Sequence, residues 1–247
     1  MRRRALVTGG AARVGRATAL ELAEHGFDIA VHYRSSREPA EAVAAACREA
    51  GAEAFLVQGD LADPAAIEAI AEAVGARWAH LDLLVNNASL FAPTPFEAIT
   101  LSAWEQMQAV NLRAPFLLSQ ALLPKLRAAA GQEAESALVV HMCDIGAENP
   151  LVGYTHYSVS KAGLVMLVKA MAVELAPAVR AVGISPGHVV WPESYDEDTR
   201  RKLTRRIPMG RVGTAEDVAR LIRFLALEAP YVNGAVIPVD GGLGVRY

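Results

Sequence analysis

Seven short apolar runs, separated by longer amphipathic stretches, constrain this chain of 247 residues more than any other feature of its sequence. The runs span 5–8, 28–32, 54–58, 82–86, 137–143, 181–185 and 235–239, and each reads as a strand. Between them lie helical patterns at 14–26, 38–51, 64–78, 102–130, 154–176 and 214–227. Asp63-Pro64 and a capping box beginning at Thr214 mark two helix starts, and Gly26 and Gly51 sit where two helices should stop. Strands alternating with helices predict βαβ units with right-handed crossovers, hence an α/β fold built on an open parallel sheet. The runs are apolar throughout rather than alternating, as strands buried on both faces must be, so helices should cover both sides. The stretch 188–213 breaks the rhythm with Trp191, Tyr195 and several charges, and is expected to cover a site.

Composition narrows the function classes. With 53% hydrophobic and 21% charged residues the chain can fill one large core, which excludes intrinsic disorder. A net charge of −3 gives no electrostatic reason to expect nucleic acid. Cys47 and Cys143 supply neither a disulfide framework nor metal-ligand spacing. The basic start Arg2-Arg3-Arg4 is followed by too short an apolar stretch for a signal peptide. No run approaches the roughly 18 apolar residues of a membrane span. The expectation is one soluble, cytoplasmic domain over 1–247 with no metal, membrane or nucleic-acid partner.

Ligands of an open α/β sheet bind at the carboxyl ends of its strands, so those ends carry the functional reading. The first ends in Thr8-Gly9-Gly10-Ala11-Ala12-Arg13-Val14-Gly15 and opens directly into a helix. Glycines there let the backbone approach a pyrophosphate at the positive helix terminus. The second ends in His32-Tyr33-Arg34-Ser35-Ser36. An enzyme preferring NAD places Asp or Glu there for the ribose 2′-hydroxyl, whereas an Arg with flanking hydroxyls suits a 2′-phosphate. NADP(H) is therefore the expected cofactor. Asp60-Leu61 is placed to cap the adenine edge, and Asn86-Asn87-Ala88-Ser89 to set polar groups over the cofactor.

Tyr157 and Lys161 stand four apart on one predicted helix face, thirteen residues beyond Asp144 at the end of the fifth strand. An ammonium beside a phenol favours the phenolate, so Lys161 is expected to lower the Tyr157 pKa. His141 reads as a satisfied core histidine and Cys143 as packing. His188 and Trp191, in the covering stretch, are candidates to line the pocket, and Arg246 reads as a solvated terminus.

Taken in order, Thr8-Gly9 to Gly15, Asp60, Asn86-Asn87-Ala88, Asn111, Tyr157 with Lys161, Ser185-Pro186-Gly187 and Val239-Asp240-Gly241-Gly242 resemble the short-chain dehydrogenase/reductase family over essentially the whole chain. The resemblance implies a Rossmann-like, doubly wound sheet of seven parallel strands, bound NADPH/NADP+, a small-molecule substrate and a homotetramer. It implies Tyr157 as proton donor, Lys161 on the nicotinamide ribose and Asn111 in a water relay. It sets Gly9, Arg13, Val14, Gly15, Tyr33, Arg34, Ser35, Ser36, Asp60, Leu61, Asn87, Ala88, Ser89, Pro186 and Gly187 against the cofactor, beside Tyr157 and Lys161.

Two positions depart from the wider family, which usually has glycine at Arg13 and serine at Asp144. Both departures, with 32–36 and the stretch 86–95, are similar to the pteridine reductases. That similarity implies Arg13 near pyrophosphate and pterin, Ser89 on cofactor or substrate, and Phe91 stacked on the pterin. Asp144, when protonated, would pass a proton to a ring nitrogen, completing a substrate set of Arg13, Ser89, Phe91, Asp144, Tyr157, His188 and Trp191.

Three activities stay open. The first is reduction of a C=N bond in a dihydropterin-like ring. The second is reduction of a ketone or 3-oxoacyl thioester, which the poor match of the covering stretch to the pterin subgroup favours. The third is a non-enzymatic NADP(H)-sensing module, against which the intact Asn111, Tyr157 and Lys161 speak.

Overall fold

The computed structural model describes residues 2–130, 136–191 and 195–245; Arg246, read above as a solvated terminus, lies outside the described residues. Seven strands form one parallel sheet in the order β3-β2-β1-β4-β5-β6-β7. They are β1 (Arg3–Val7), β2 (Phe27–Tyr33), β3 (Ala54–Gln58), β4 (Leu83–Asn86), β5 (Ala137–Met142), β6 (Val179–Pro186) and β7 (Val236–Val239). The helices are α1 (Arg13–Glu24), α2 (Arg37–Glu49), α3 (Pro64–Arg77), α4 (Leu101–Gln108), α5 (Ala114–Ala129), α6 (Thr155–Glu174), α7 (Glu197–Thr204) and α8 (Ala215–Leu227).

Successive strand residues point to opposite faces, and both faces are dry. Val7, Ile29, Val31, Val85 and Val140 pack with Leu22, Val43 and Ile222 on one side. Leu6, Ala30, Leu84 and Val139 pack with Ile70, Leu118 and Met171 on the other. This accounts for the uninterrupted apolar runs. The chain winds outward from β1 to β3, then returns to lay β4 on the other side of β1. The reversal leaves a crevice at the carboxyl ends of β1 and β4, where ligands of such sheets bind.

Three local features were not legible as periodicity. The helix expected over 102–130 is broken by a wider π turn at Ala109–Arg113. Pro115 has no N–H to return to the Asn111 carbonyl four residues earlier, so the regular ladder cannot close there. Secondly, β6 begins at Val179, two residues before its apolar run, because Arg180 is buried with its guanidinium on the Leu225, Ala229 and Val232 carbonyls. Thirdly, α7 lies inside the stretch expected to be a loop. It has no apolar stripe, and its start is set by the Asp196 side chain, which accepts from Thr199 N at 2.7 Å. Gly26 and Gly51 end α1 and α2 with φ of 90° and 83°, as expected. No helix among the described residues is long and apolar enough to cross a membrane.

Candidate active site

A groove of about 390 Å³ opens along the carboxyl ends of β1 to β4, lined by Gly9, Arg13, Gly15, Arg34, Asp60 and Asn87 among others. Its floor is the turn between β1 and α1. Thr8 Oγ1 accepts from the Asn87 and Ala88 amides at 2.9 and 3.0 Å, and Asn87 Nδ2 donates to Thr8 O at 2.8 Å. A Cβ on Gly15 would run into the Gly9 backbone carbonyl and stand 2.7 Å from Asn87 Nδ2, so only glycine lets α1 start this close to the turn after β1. The α1 N-cap, Ala12, supplies no side-chain cap and the first turn carries no acid. The positive end of α1 is thus left for an anion.

Arg13 stands in a backbone conformation that suits glycine. Its φ is 51°, a left-handed backbone that glycine adopts freely and that costs other residues about 1–2 kcal/mol. Its guanidinium Nη2 donates to the carbonyls of Val190 and Trp191 at 2.9 and 3.1 Å. The covering stretch is therefore tied to the start of α1 by the same residue that lines the groove.

The expected cofactor residues separate into two groups. Val14, Leu61, Ala88 and Ser89 join those named above in lining the groove. Tyr33 does not: it is buried, with its hydroxyl donating to Gln58 Oε1 at 3.3 Å. Ser35 and Ser36 are exposed at the entry to α2, and Pro186 and Gly187 lie at the end of β6, outside the groove lining.

At the end of β5 the Tyr157 hydroxyl donates to Asp144 Oδ2 at 2.7 Å, while Asp144 Oδ1 accepts from Gly146 N at 2.6 Å. Both carboxylate oxygens thus have a partner, the phenol on one and a backbone amide on the other. Burial first, and the Asp144 charge second, hold the Tyr157 hydroxyl well above the usual tyrosine range. This reverses the expected effect of Lys161. Its Nζ lies 5.6 Å from the Tyr157 ring centre and donates to Met142 O at 2.7 Å. Burial lowers the Lys161 ammonium, against the pull of Asp144.

The π turn presents Asn111 to the segment after β4 and to α6. Its Oδ1 accepts from Leu90 N at 2.8 Å and from Ser89 Oγ at 3.2 Å, and its Nδ2 donates to Leu90 O at 3.0 Å and Ser160 Oγ at 3.1 Å. The side chain thus ties the segment after β4 to Ser160 of α6. Phe91 lies beside the Tyr157–Asp144 pair, stacked on Tyr154 (4.4 Å, 17°) and edge-on to Tyr157 (4.9 Å, 78°). Tyr154 was missed, although its spacing of three from Tyr157 at a helix start was a usable signal. His188 and Trp191 stand with their rings 4.7 Å apart, and Trp191 faces Tyr195 at 6.1 Å. Burial first, and the nearby Tyr195 hydroxyl second, push the Tyr154 hydroxyl up to about 12, so the covering stretch reaches the start of α6.

The remaining candidates are structural. His141 is fully buried, and burial lowers it to about 3, so it is a neutral core group. Burial pushes the Cys47 and Cys143 thiols up to about 11, which makes both poor nucleophiles.

Residues 9–244 match a family model described as enoyl-(acyl carrier protein) reductase. The chain is 32% identical to a 3-oxoacyl-[acyl-carrier-protein] reductase of Staphylococcus aureus, over 98% of each chain. It is 33% identical to an L-rhamnose 1-dehydrogenase (NAD(P)(+)) of Sphingomonas, covering 98% of this chain and 96% of that one. Among solved structures it is similar to a Pseudomonas aeruginosa RhlG/NADP active-site complex, with a TM-score of 0.90 and 31% identity over 98% of this chain and 96% of that one. None of these three is a pteridine reductase.

Proposed function

The chain belongs to the short-chain dehydrogenase/reductase family, and on that footing we propose that it is an NADPH-dependent reductase of a carbonyl substrate, a 3-oxoacyl thioester in the first instance. The observation that carries the reading is the Tyr157 hydroxyl, kept protonated by burial and then by the Asp144 charge, with the Lys161 ammonium 5.6 Å from its ring centre. The residues present fit the cofactor. The uncapped start of α1 and the glycine turn would receive the pyrophosphate, Arg34 the 2′-phosphate, Asp60 the adenine edge and Lys161 the nicotinamide ribose. When bound, NADPH supplies the hydride. Tyr157 delivers its hydroxyl proton to the carbonyl oxygen, and Asp144 and the Phe91–Tyr154 stack fix the direction of that delivery. The names of the relatives support the thioester class.

Reduction of a dihydropterin-like C=N bond is the second reading, favoured by Asp144 in place of serine and by the exposed face of Phe91 beside Tyr157. The pure protein should oxidise NADPH when given one member of a panel of 3-oxoacyl thioesters, small ketones and dihydropterins. Turnover of the thioesters alone retires the pterin reading, and turnover of dihydropterins alone retires the thioester reading.

One domain over 1–247, a cytoplasmic setting and a homotetramer belong to the same proposal. Val159, Met166 and Val173 recur every seven residues on α6 and are 45%, 62% and 81% exposed, an apolar stripe suited to a second copy of the chain. Light scattering of wild type and Met166→Glu decides it, a smaller particle being expected for the variant.

A further inference from the structure

We propose that His32 is a positioning residue for the cofactor, a neutral brace that sets the distance between the pyrophosphate turn and the adenine wall of the groove. The inference rests on the NADPH reading above. His32 is the penultimate residue of β2, is 2% exposed, and borders the groove between its two walls. Its ring Nδ1 lies 3.1 Å from the Gly9 amide, and its Nε2 lies 3.1 Å from the Gly59 carbonyl. The Gly9 N–H can only donate, so Nδ1 must be the bare nitrogen and Nε2 must carry the proton that goes to Gly59.

The backbone of the same residue repeats the link. The His32 carbonyl accepts from Gly10 N at 2.9 Å, and the neighbouring Tyr33 carbonyl accepts from Gly59 N at 3.2 Å. Gly9 has φ of 62° and Gly59 directly precedes Asp60, so one imidazole holds the phosphate turn and the adenine end together. Burial lowers His32 to about 4, opposed by the Gly59 bond and by Asp60, which keeps the brace uncharged at neutral pH. A charged ring would set an N–H against the Gly9 N–H and break the first bond.

Direct NADPH binding, read by fluorescence, tests the brace without needing a substrate. His32→Leu strands a buried donor and a buried acceptor, and should raise the NADPH Kd about 10- to 100-fold. His32→Gln offers an acceptor and a donor on one amide and should recover most of that loss. With a substrate that turns over, the KM for NADPH should rise with the Kd in His32→Leu and fall back in His32→Gln. A folded His32→Leu protein with lower thermal stability but wild-type Kd overturns the proposal and leaves a core histidine. Should His32→Leu not fold, the wild-type protein carries the test. Saturation with NADPH should shift the His32 ring ¹⁵N resonances, and unmoved resonances overturn the brace. Wild type that fails to bind NADPH at all instead removes the cofactor reading itself.

Discussion

Tyr157 gives its phenolic hydrogen to Asp144 across 2.7 Å, and the carboxylate takes the Gly146 amide on its other oxygen. A serine at that position could hold the phenol by a bond of either polarity, whereas an ionised carboxylate only accepts. Burial first, and the Asp144 charge second, keep the proton on Tyr157, ready for delivery. Because the Tyr157 pKa is raised, reduction should hold its rate through neutral pH and fall only on the alkaline side, as the phenol ionises. Asp144→Ser removes the adjacent negative charge and should move that alkaline limb to lower pH. Tyr157→Phe should lower kcat by about 10²–10⁴-fold. A pH–rate profile of the three proteins checks both statements.

Cofactor choice should follow Arg34, which lines the groove just after the end of β2. A charged hydrogen bond to the 2′-phosphate contributes about 1.5–3 kcal/mol, or roughly 10- to 150-fold in affinity. Arg34→Asp should erase or reverse the preference for NADPH, measured as the ratio of kcat/KM for NADPH and NADH. Equal kcat/KM for the two in the wild type would sink the assignment.

The Phe91–Tyr154 stack separates the two substrate classes. An aromatic wall beside Tyr157 matters more to a flat conjugated ring than to a flexible acyl chain. Phe91→Ala should raise KM for a dihydropterin several-fold, change KM for a 3-oxoacyl thioester little, and leave the NADPH Kd unmoved. Steady-state kinetics on both substrates gives the answer.

Acid should unfold this protein early. His32 and His141 are held near 4 and near 3 by burial, against about 6.5 in an unfolded chain. Both are neutral in the fold, so the unfolded chain binds more protons below pH 6.5 and stability is lost progressively as pH falls through the folded values. Each group contributes up to about 1.4 kcal/mol per pH unit in that window. Urea melts at pH 7, 6 and 5 should show the decline, and His141→Gln should make it shallower.

The sheet, its order of elements and the ends that carry chemistry were legible in the sequence, because each follows from local pattern. Strand and helix periods are set by neighbours within a few residues, and the Tyr157–Lys161 spacing is a property of one helix turn. The break at Ala109–Arg113 was also local in origin, since Pro115 withholds its N–H from Asn111, but the apolar period runs straight through it. What the sequence could not carry are relations between residues far apart in the chain. The direction of the Tyr157 shift depended on how deeply the phenol is buried and on the Asp144 carboxylate that meets it, not on the nearby Lys161 alone. Tyr33 looked equivalent to Arg34, yet strand alternation sends one ring inward to Gln58 and leaves the other side chain on the groove. His32 became a brace only when β1, β2 and β3 lay side by side and put Gly9 and Gly59 at its two ring nitrogens. Hydrogen bonds and burial are fixed by distance in space, and only the folded chain sets those distances.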